Sequence, residues 1–268
     1  MKFFINIIFL LLVSIKCFGQ SYAGAEFNSM GYSSSRTSFT SFSLFSNPAS
    51  LSENKIIQSG ISYTPAPFGI KELSTFHAAI NFPSDFGSFA VGYSDYGFEL
   101  YSEKKFLISY GRNIFNDFSI GASLIYNSIS IASYGNSGII SFNLGALYSF
   151  NKKIKIGGSI ENITNSSYGQ YNNQLDRSYW FGTSYIFSDE LKLSAALSKY
   201  FSEREAFRIG CEYYLLNYLP LRCGYISEPV SFTFGIGINQ GVLSVNYALL
   251  THEVFELTHN LSISINFD

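Results

Sequence analysis

Ser137-Gly138-Ile139-Ile140-Ser141-Phe142-Asn143-Leu144-Gly145-Ala146-Leu147-Tyr148-Ser149-Phe150-Asn151-Lys152-Lys153-Ile154-Lys155-Ile156-Gly157-Gly158-Ser159-Ile160-Glu161-Asn162 is the stretch that decides the fold. From Ile140 the even positions read Ile140, Phe142, Leu144, Ala146, Tyr148 and Phe150. Between them lie Ser141, Asn143, Gly145, Leu147 and Ser149. This is period two, apolar against small or polar, over more than ten residues. Asn151-Lys152 turns the chain, and Ile154, Ile156, Gly158 and Ile160 then alternate with Lys155, Gly157, Ser159 and Glu161. The pattern recurs from about residue 55 to the C-terminus with almost no helical period. Strands of roughly 9–11 residues with opposed faces suit a membrane-spanning barrel, where every backbone group is paired within the sheet.

The bulk numbers agree. Charged residues make up 13% of the 268-residue chain, well below the roughly 25% of soluble domains. Aromatics reach 18%, with 27 Phe and 20 Tyr against one Trp. Mean hydropathy is only +0.13, and past the N-terminus no run approaches the roughly 18 apolar residues of a spanning helix. A net charge of −2 gives no reason to expect nucleic acid as a partner.

Residues 1–19 read as an export signal. Lys2 supplies the positive start, Phe3 to Ile15 the apolar core, and Cys17-Phe18-Gly19 the small residues of a cleavage site before Gln20. The core is too short for an anchor, and Lys16 is a poor match to a lipoprotein site at Cys17. Residues 20–54 are rich in Ser, Gly and Phe without strand alternation, and Pro48 would break a strand or helix there. Their Phe content argues for a hatch or plug inside the barrel over a disordered tail. Residues 55–268 form the barrel.

Fourteen strands are predicted, at about 55–64, 73–82, 86–95, 104–113, 117–128, 138–150, 153–162, 178–187, 190–200, 205–215, 219–227, 230–239, 242–250 and 257–267. Alternate connections are short, such as Pro83-Ser84-Asp85, Asn151-Lys152 and Gln240-Gly241. The others, such as 65–72, 96–103, 129–137 and 163–177, are longer, although those near Ser202 and Glu228 are short. Short periplasmic turns and longer outer loops are the barrel rule, and an even strand number puts both termini in the periplasm. The fold class is thus an all-β, antiparallel transmembrane barrel with an N-terminal hatch, embedded in outer-membrane lipid. Phe232, Phe234, Ile236 and Ile238 should face lipid and Ser231, Thr233, Gly235 and Gly237 the lumen. Tyr63, Tyr93, Tyr110, Tyr126, Tyr148 and Tyr179 would form interfacial girdles.

Several short motifs resemble the FadL-like outer-membrane family, in particular its PorV/PorQ-type branch tied to type IX secretion. Asn47-Pro48-Ala49-Ser50-Leu51 matches the N-P-A-x-L motif that precedes the first strand in that family. Phe68-Gly69-Ile70-Lys71-Glu72-Leu73, Gly97-Phe98-Glu99-Leu100-Tyr101-Ser102-Glu103 and Thr258-His259-Asn260-Leu261-Ser262 resemble its first outer loop, the entry to its fourth strand and the entry to its last strand. The resemblance implies a monomeric, fourteen-stranded barrel with an N-terminal hatch carrying Asn47, Pro48, Ala49 and Leu51. The chain departs from the family pattern in Gly31 to Phe45, which replaces a glycine-rich stretch, and in its short outer loops.

No nucleotide loop, metal-ligand cluster or nucleophile elbow appears, so neither catalysis nor a cofactor is expected. His77 shares a face with Thr75 and Asn81 and points inward; His252 and His259 lie in or beside the last outer loop. Lys155, Glu161, Lys192, Arg208, Glu212 and Arg222 face the lumen, where charges either line a ligand path or pair across strands. Ile263, Ile265 and Phe267 form the alternating C-terminal assembly signal. At the hairpin 205–227, the loop Leu216-Asn217-Tyr218 would pair Leu215 with Leu219, which sets Glu212 opposite Arg222 and Cys211 opposite Cys223. The cysteines could form a disulfide or stay reduced. Two functions fit. In the first, a hydrophobic small molecule enters a FadL-like barrel past its hatch. In the second, a non-transporting barrel serves type IX protein secretion or surface attachment through contacts with secretion-system proteins.

Overall fold

The computed structural model describes residues 22–115, 117–168, 173–201 and 204–267. The export signal read in residues 1–19, its cleavage point and the terminal Asp268 lie outside the described residues. Fourteen antiparallel strands close into one barrel. They are β1 (Ile57–Thr64), β2 (Thr75–Ser84), β3 (Gly87–Phe98), β4 (Tyr101–Phe115), β5 (Phe118–Ile131), β6 (Gly135–Ser149), β7 (Ile154–Glu161), β8 (Ser178–Ile186), β9 (Leu191–Tyr200), β10 (Ala206–Leu216), β11 (Leu219–Ser227), β12 (Val230–Gln240), β13 (Leu243–Leu250) and β14 (Thr258–Phe267). Each pairs with its sequence neighbour, and β14 closes on β1 with Ile61 opposite Ile263 and Ile57 opposite Phe267. Closure leaves no unpaired edge, as hydrocarbon requires. Between β7 and β8 a small ribbon pairs Ser167–Tyr168 with Asn173–Gln174.

The period-two pattern maps onto two faces. On β12, Phe232, Phe234, Ile236 and Ile238 are exposed outward, while Ser231 and Thr233 are buried inward. Leu261, Ile265 and Phe267 of β14 are likewise outward, with Asn260 and Ser262 inside. The outward set is an apolar band for lipid. The buried inward set is dominated by Ser, Asn and Thr.

Two expectations are corrected. The predicted loops 96–103 and 129–137 are mostly strand: β3 and β4 pair as far as Phe98 with Tyr101, and β5 and β6 as far as Ile131 with Gly135. Backbone pairing continues past the point where alternation fades, because above the lipid both faces of a hairpin are wet. The β10–β11 turn also differs at its tip. Leu216, not Leu215, pairs with Leu219, and a bulge between Tyr214 and Leu216 restores the expected register. Beyond the bulge Glu212 is opposite Arg222 and Cys211 opposite Cys223; both cysteines are free thiols.

Residues 22–54 fold inside the ring and touch all fourteen strands. They contain one short helix, α1 (Ala25–Asn28), and 3-10 turns at Ser43–Phe45 and Pro48–Glu53. Pro48 does not break the structure; it opens the second turn at a position where no N–H is needed. The segment first runs backward around the barrel. Ala25 donates to Ser262 of β14 at 3.3 Å, Asn246 of β13 donates to Glu26 at 3.0 Å, and Thr233 of β12 donates to the Ser29 carbonyl at 2.9 Å. Arg208 of β10 then donates to the Gly31 carbonyl, and Arg36 reaches β7 and β8. The chain crosses to Asn81 of β2, which donates to the Ser41 carbonyl at 3.1 Å. It finishes along β3 to β7.

Glycine makes this approach possible. Ten inward positions on ten different strands are Gly, and a Cβ at each would meet the inner segment. Several pair with one another as a belt, including Gly111 with Gly121, Gly121 with Gly145, Gly157 with Gly182 and Gly210 with Gly224. At Gly121 the obstruction would be the Pro48–Ala49 backbone itself, which no rotamer change relieves.

Candidate functional site

The motif Asn47-Pro48-Ala49-Ser50-Leu51 sits where the inner segment meets β4–β6. Asn47 Oδ1 accepts from the Ala49 N–H at 3.1 Å, and its Nδ2 donates to the carbonyls of Arg36 at 2.8 Å and Ala146 at 3.1 Å. One amide side chain therefore caps a turn, ties the segment to itself and ties it to β6. Pro48, Ala49 and Leu51 are all buried. Ala49 lies against Gly121 and Gly145.

The six inward charges are not one cluster. Lys155 pairs with Glu53 of the inner segment. Glu161 Oε1 accepts from Arg36 at 2.7 Å and its Oε2 from Ser178 at 2.7 Å. Lys192 donates to Ser38 Oγ at 2.5 Å. Arg222 Nε donates to Glu212 at 2.5 Å and its Nη1 to Asn246 at 2.8 Å. Arg208 stands apart, beside the aromatic floor described below. His77 is inward and buried, its ring 5.2 Å from that of Phe45. Ile263, Ile265 and Phe267 lie on the outward face of the closing strand.

Sequence reasoning missed the other half of this layer. Between residues 22 and 54 the chain carries only three charged residues, Glu26, Arg36 and Glu53, and each meets an inward residue of the barrel. Their scarcity was the available signal: a charge in an otherwise neutral buried segment needs a partner. Trp180, the chain's only Trp, was also missed. It is buried, with the Arg36 guanidinium 4.2 Å and the Arg208 guanidinium 4.8 Å from its ring. Tyr22 and Tyr32 stack at 4.1 Å beside it.

Above this aromatic and cationic floor a cavity of about 700 Å³ opens toward the long-loop end of the barrel. Tyr22, Tyr32, Tyr200 and Arg208 lie at its base, and Tyr101, Tyr168 and Glu228 nearer its mouth. One side is apolar, with Phe45, Leu107 and Ile125; the other is polar, with Asn143, Asn162 and Glu161. At the rim a separate contact joins two loops. The Phe68 and His252 rings lie 4.3 Å apart, Phe255 packs on Phe68 at 5.4 Å, and His252 Nε2 lies 2.8 Å from Thr258 Oγ1. Burial pushes the His252 pKa below its ordinary value.

A closed ring of fourteen antiparallel strands with an apolar exterior and a filled interior defines an outer-membrane β-barrel. Solved structures share the fold. The Pseudomonas putida toluene transporter TodX superposes with a TM-score of 0.71 at 14% identity, covering 91% of this chain and 98% of that one. A Pseudomonas aeruginosa FadL homologue gives 0.69 at 9% identity, covering 93% and 99%. The CymD monoaromatic hydrocarbon channel gives 0.67 at 12% identity, covering 91% and 97%. No curated protein sequence matches the chain. The family model of the type IX secretion system membrane protein PorP/SprF matches residues 31–267, and the chain belongs to that family. The resemblance to FadL-like, type IX secretion-related barrels thus stands, with PorP/SprF as the family description that matches.

Proposed function

We propose that this outer-membrane protein is a closed, non-enzymatic barrel that serves type IX protein secretion by holding secretion-system proteins, with residues 22–54 as a fixed plug. The observation that supports this reading is the contact of that segment with all fourteen strands across a glycine belt. A gate that swings open for each passing molecule would have to break the Arg36–Glu161 and Lys155–Glu53 pairs and the Asn47 hydrogen bonds together. Arg36 is fully buried, and leaving such a charge uncompensated costs about 3–5 kcal/mol. A filled lumen instead suits a rigid membrane-embedded platform whose turns and loops meet other proteins. A second reading keeps the barrel as a path for a hydrophobic small molecule; the apolar side formed by Phe45, Leu107 and Ile125 favours it. The test is affinity capture of the tagged protein from detergent-solubilised outer membranes, combined with measurement of exported protein in a deletion strain. Co-purification of other secretion-system components and loss of export support the platform. Normal export, with uptake of a monoaromatic hydrocarbon lost in the deletion strain, would overturn it in favour of the second reading.

A further inference from the structure

Arg208 is in an unusual state for a buried guanidinium. It is only 4% exposed, yet no carboxylate pairs with it among the described residues. Its three hydrogen bonds go to neutral oxygens and all are long: Ser198 Oγ at 3.4 Å, the Gly31 carbonyl at 3.3 Å and the Tyr22 hydroxyl at 3.4 Å. Ordinary N–H···O bonds lie near 2.9–3.0 Å. The other two buried arginines are held differently. Arg36 meets Glu161 at 2.7 Å, and Arg222 meets Glu212 at 2.5 Å. Glu161 has both oxygens engaged, and the other carboxylates of the cavity, Glu103, Asp176 and Glu228, form no ion pair with Arg208. A buried cation without a counter-charge is costly, and the shortfall is made good when an anion binds.

Arg208 also lines the floor of the cavity. A ligand entering from the long-loop end meets its guanidinium beside the Tyr22 and Tyr200 hydroxyls, which lie 3.0 Å apart. We infer that the cavity is a receptor for a peptide carboxylate, bound on Arg208 at its base. A guanidinium favours carboxylates through paired, charge-assisted hydrogen bonds. The rest of the cavity fits a peptide stem better than an alkyl chain. Asn127, Ser141, Asn143 and Asn162 offer amides and hydroxyls along one side, and Phe45 with Leu107 offers a place for one apolar side chain. A volume of about 700 Å³ is within the roughly 300–1,000 Å³ of small-ligand pockets, enough for a few residues. The peptide as the source of the carboxylate rests on the secretion reading above; recognition of the carboxylate rests on the pocket alone.

Trp180 provides the readout, because it is the only Trp in the chain and lies against Arg208. The full-length protein in detergent is titrated with an N-acetylated tetrapeptide ending in Phe, as the free acid and as the C-terminal amide, while Trp fluorescence is recorded. The free acid should change the emission saturably and bind at least about tenfold more tightly than the amide. Arg208→Gln should abolish that preference and Arg208→Lys should keep part of it. Intact assembly of each variant is checked by heat-dependent migration in gels, and a variant that fails it is replaced by Tyr200→Phe, which should weaken acid binding alone. Equal affinity for acid and amide, or no binding of the acid up to about 10 mM, would overturn the inference. Palmitate binding with the same Arg208 dependence while the peptide acid does not compete would overturn the peptide assignment. The export and uptake measurements do not read Arg208, so the two proposals fail separately.

Discussion

Glu212 and Arg222 show what a single register decides. Their side chains are 13% and 4% exposed and meet at 2.5 Å inside the barrel. Glu212→Ala leaves Arg222 with only Asn246 and should lower stability by about 3–5 kcal/mol, seen as a lower denaturant midpoint in detergent; an unchanged midpoint would show that the pair contributes little. This pairing was legible in the sequence, because on a period-two strand the partner of one inward residue fixes the partners of all the others. The partners of Lys155 and Glu161 were not. They lie on a segment with no strand period, and nothing local in the sequence says which lumen charge Glu53 or Arg36 will reach. His252 illustrates a different residue-scale effect. Burial against Phe68 holds its pKa below the ordinary 6.5, so the neutral ring is the docked form. Docking is complete above about pH 6.5, and weakens as the pH falls below it, because the freed ring takes up the proton more readily. Hydrogen exchange of residues 65–73, corrected for intrinsic rate, should therefore speed up at pH 5 relative to pH 7.5. His252→Gln should remove that difference, and equal protection in the wild-type chain at both values would contradict the effect.

At the scale of elements, the strands were legible and their ends were not. Alternation located every barrel strand, since each must carry an apolar outer face through lipid. Pairing in β3–β6 outlasts alternation above the lipid, so the sequence pattern alone drew those strands too short. The closing strand carries its own prediction. Ile263, Ile265 and Phe267 present an apolar row outward beside β1, and Ile57 sits opposite Phe267 at the last pair. Phe267→Ala removes the terminal contact of the seam and should lower the amount of assembled protein in the outer membrane, measured by heat-modifiable gel migration. Wild-type yield would separate the closing seam from assembly. The inner segment was legible only as an apolar stretch in need of burial. Phe42 is fully buried and Phe45 packs on His77, as the Phe content of the segment had implied. Its path past every strand depends on inward glycines, which in sequence read only as small residues between apolar ones.

For the whole molecule, family membership and interior packing point the same way. A FadL-like ring is a scaffold that can be left open or filled, so the fold alone does not give the function. Here the filling is extensive: a glycine belt, two ion pairs and the Asn47 cap fix residues 22–54 against the full circumference. On the proposed reading this segment seals the barrel permanently. Ion conductance in planar lipid bilayers tests it most directly, comparing the full-length protein with a variant lacking residues 22–50, both confirmed as assembled barrels. No measurable conductance is expected for the full-length protein, and stable open steps for the deletion. Spontaneous opening of the full-length protein, or equal conductance in the two, would contradict it.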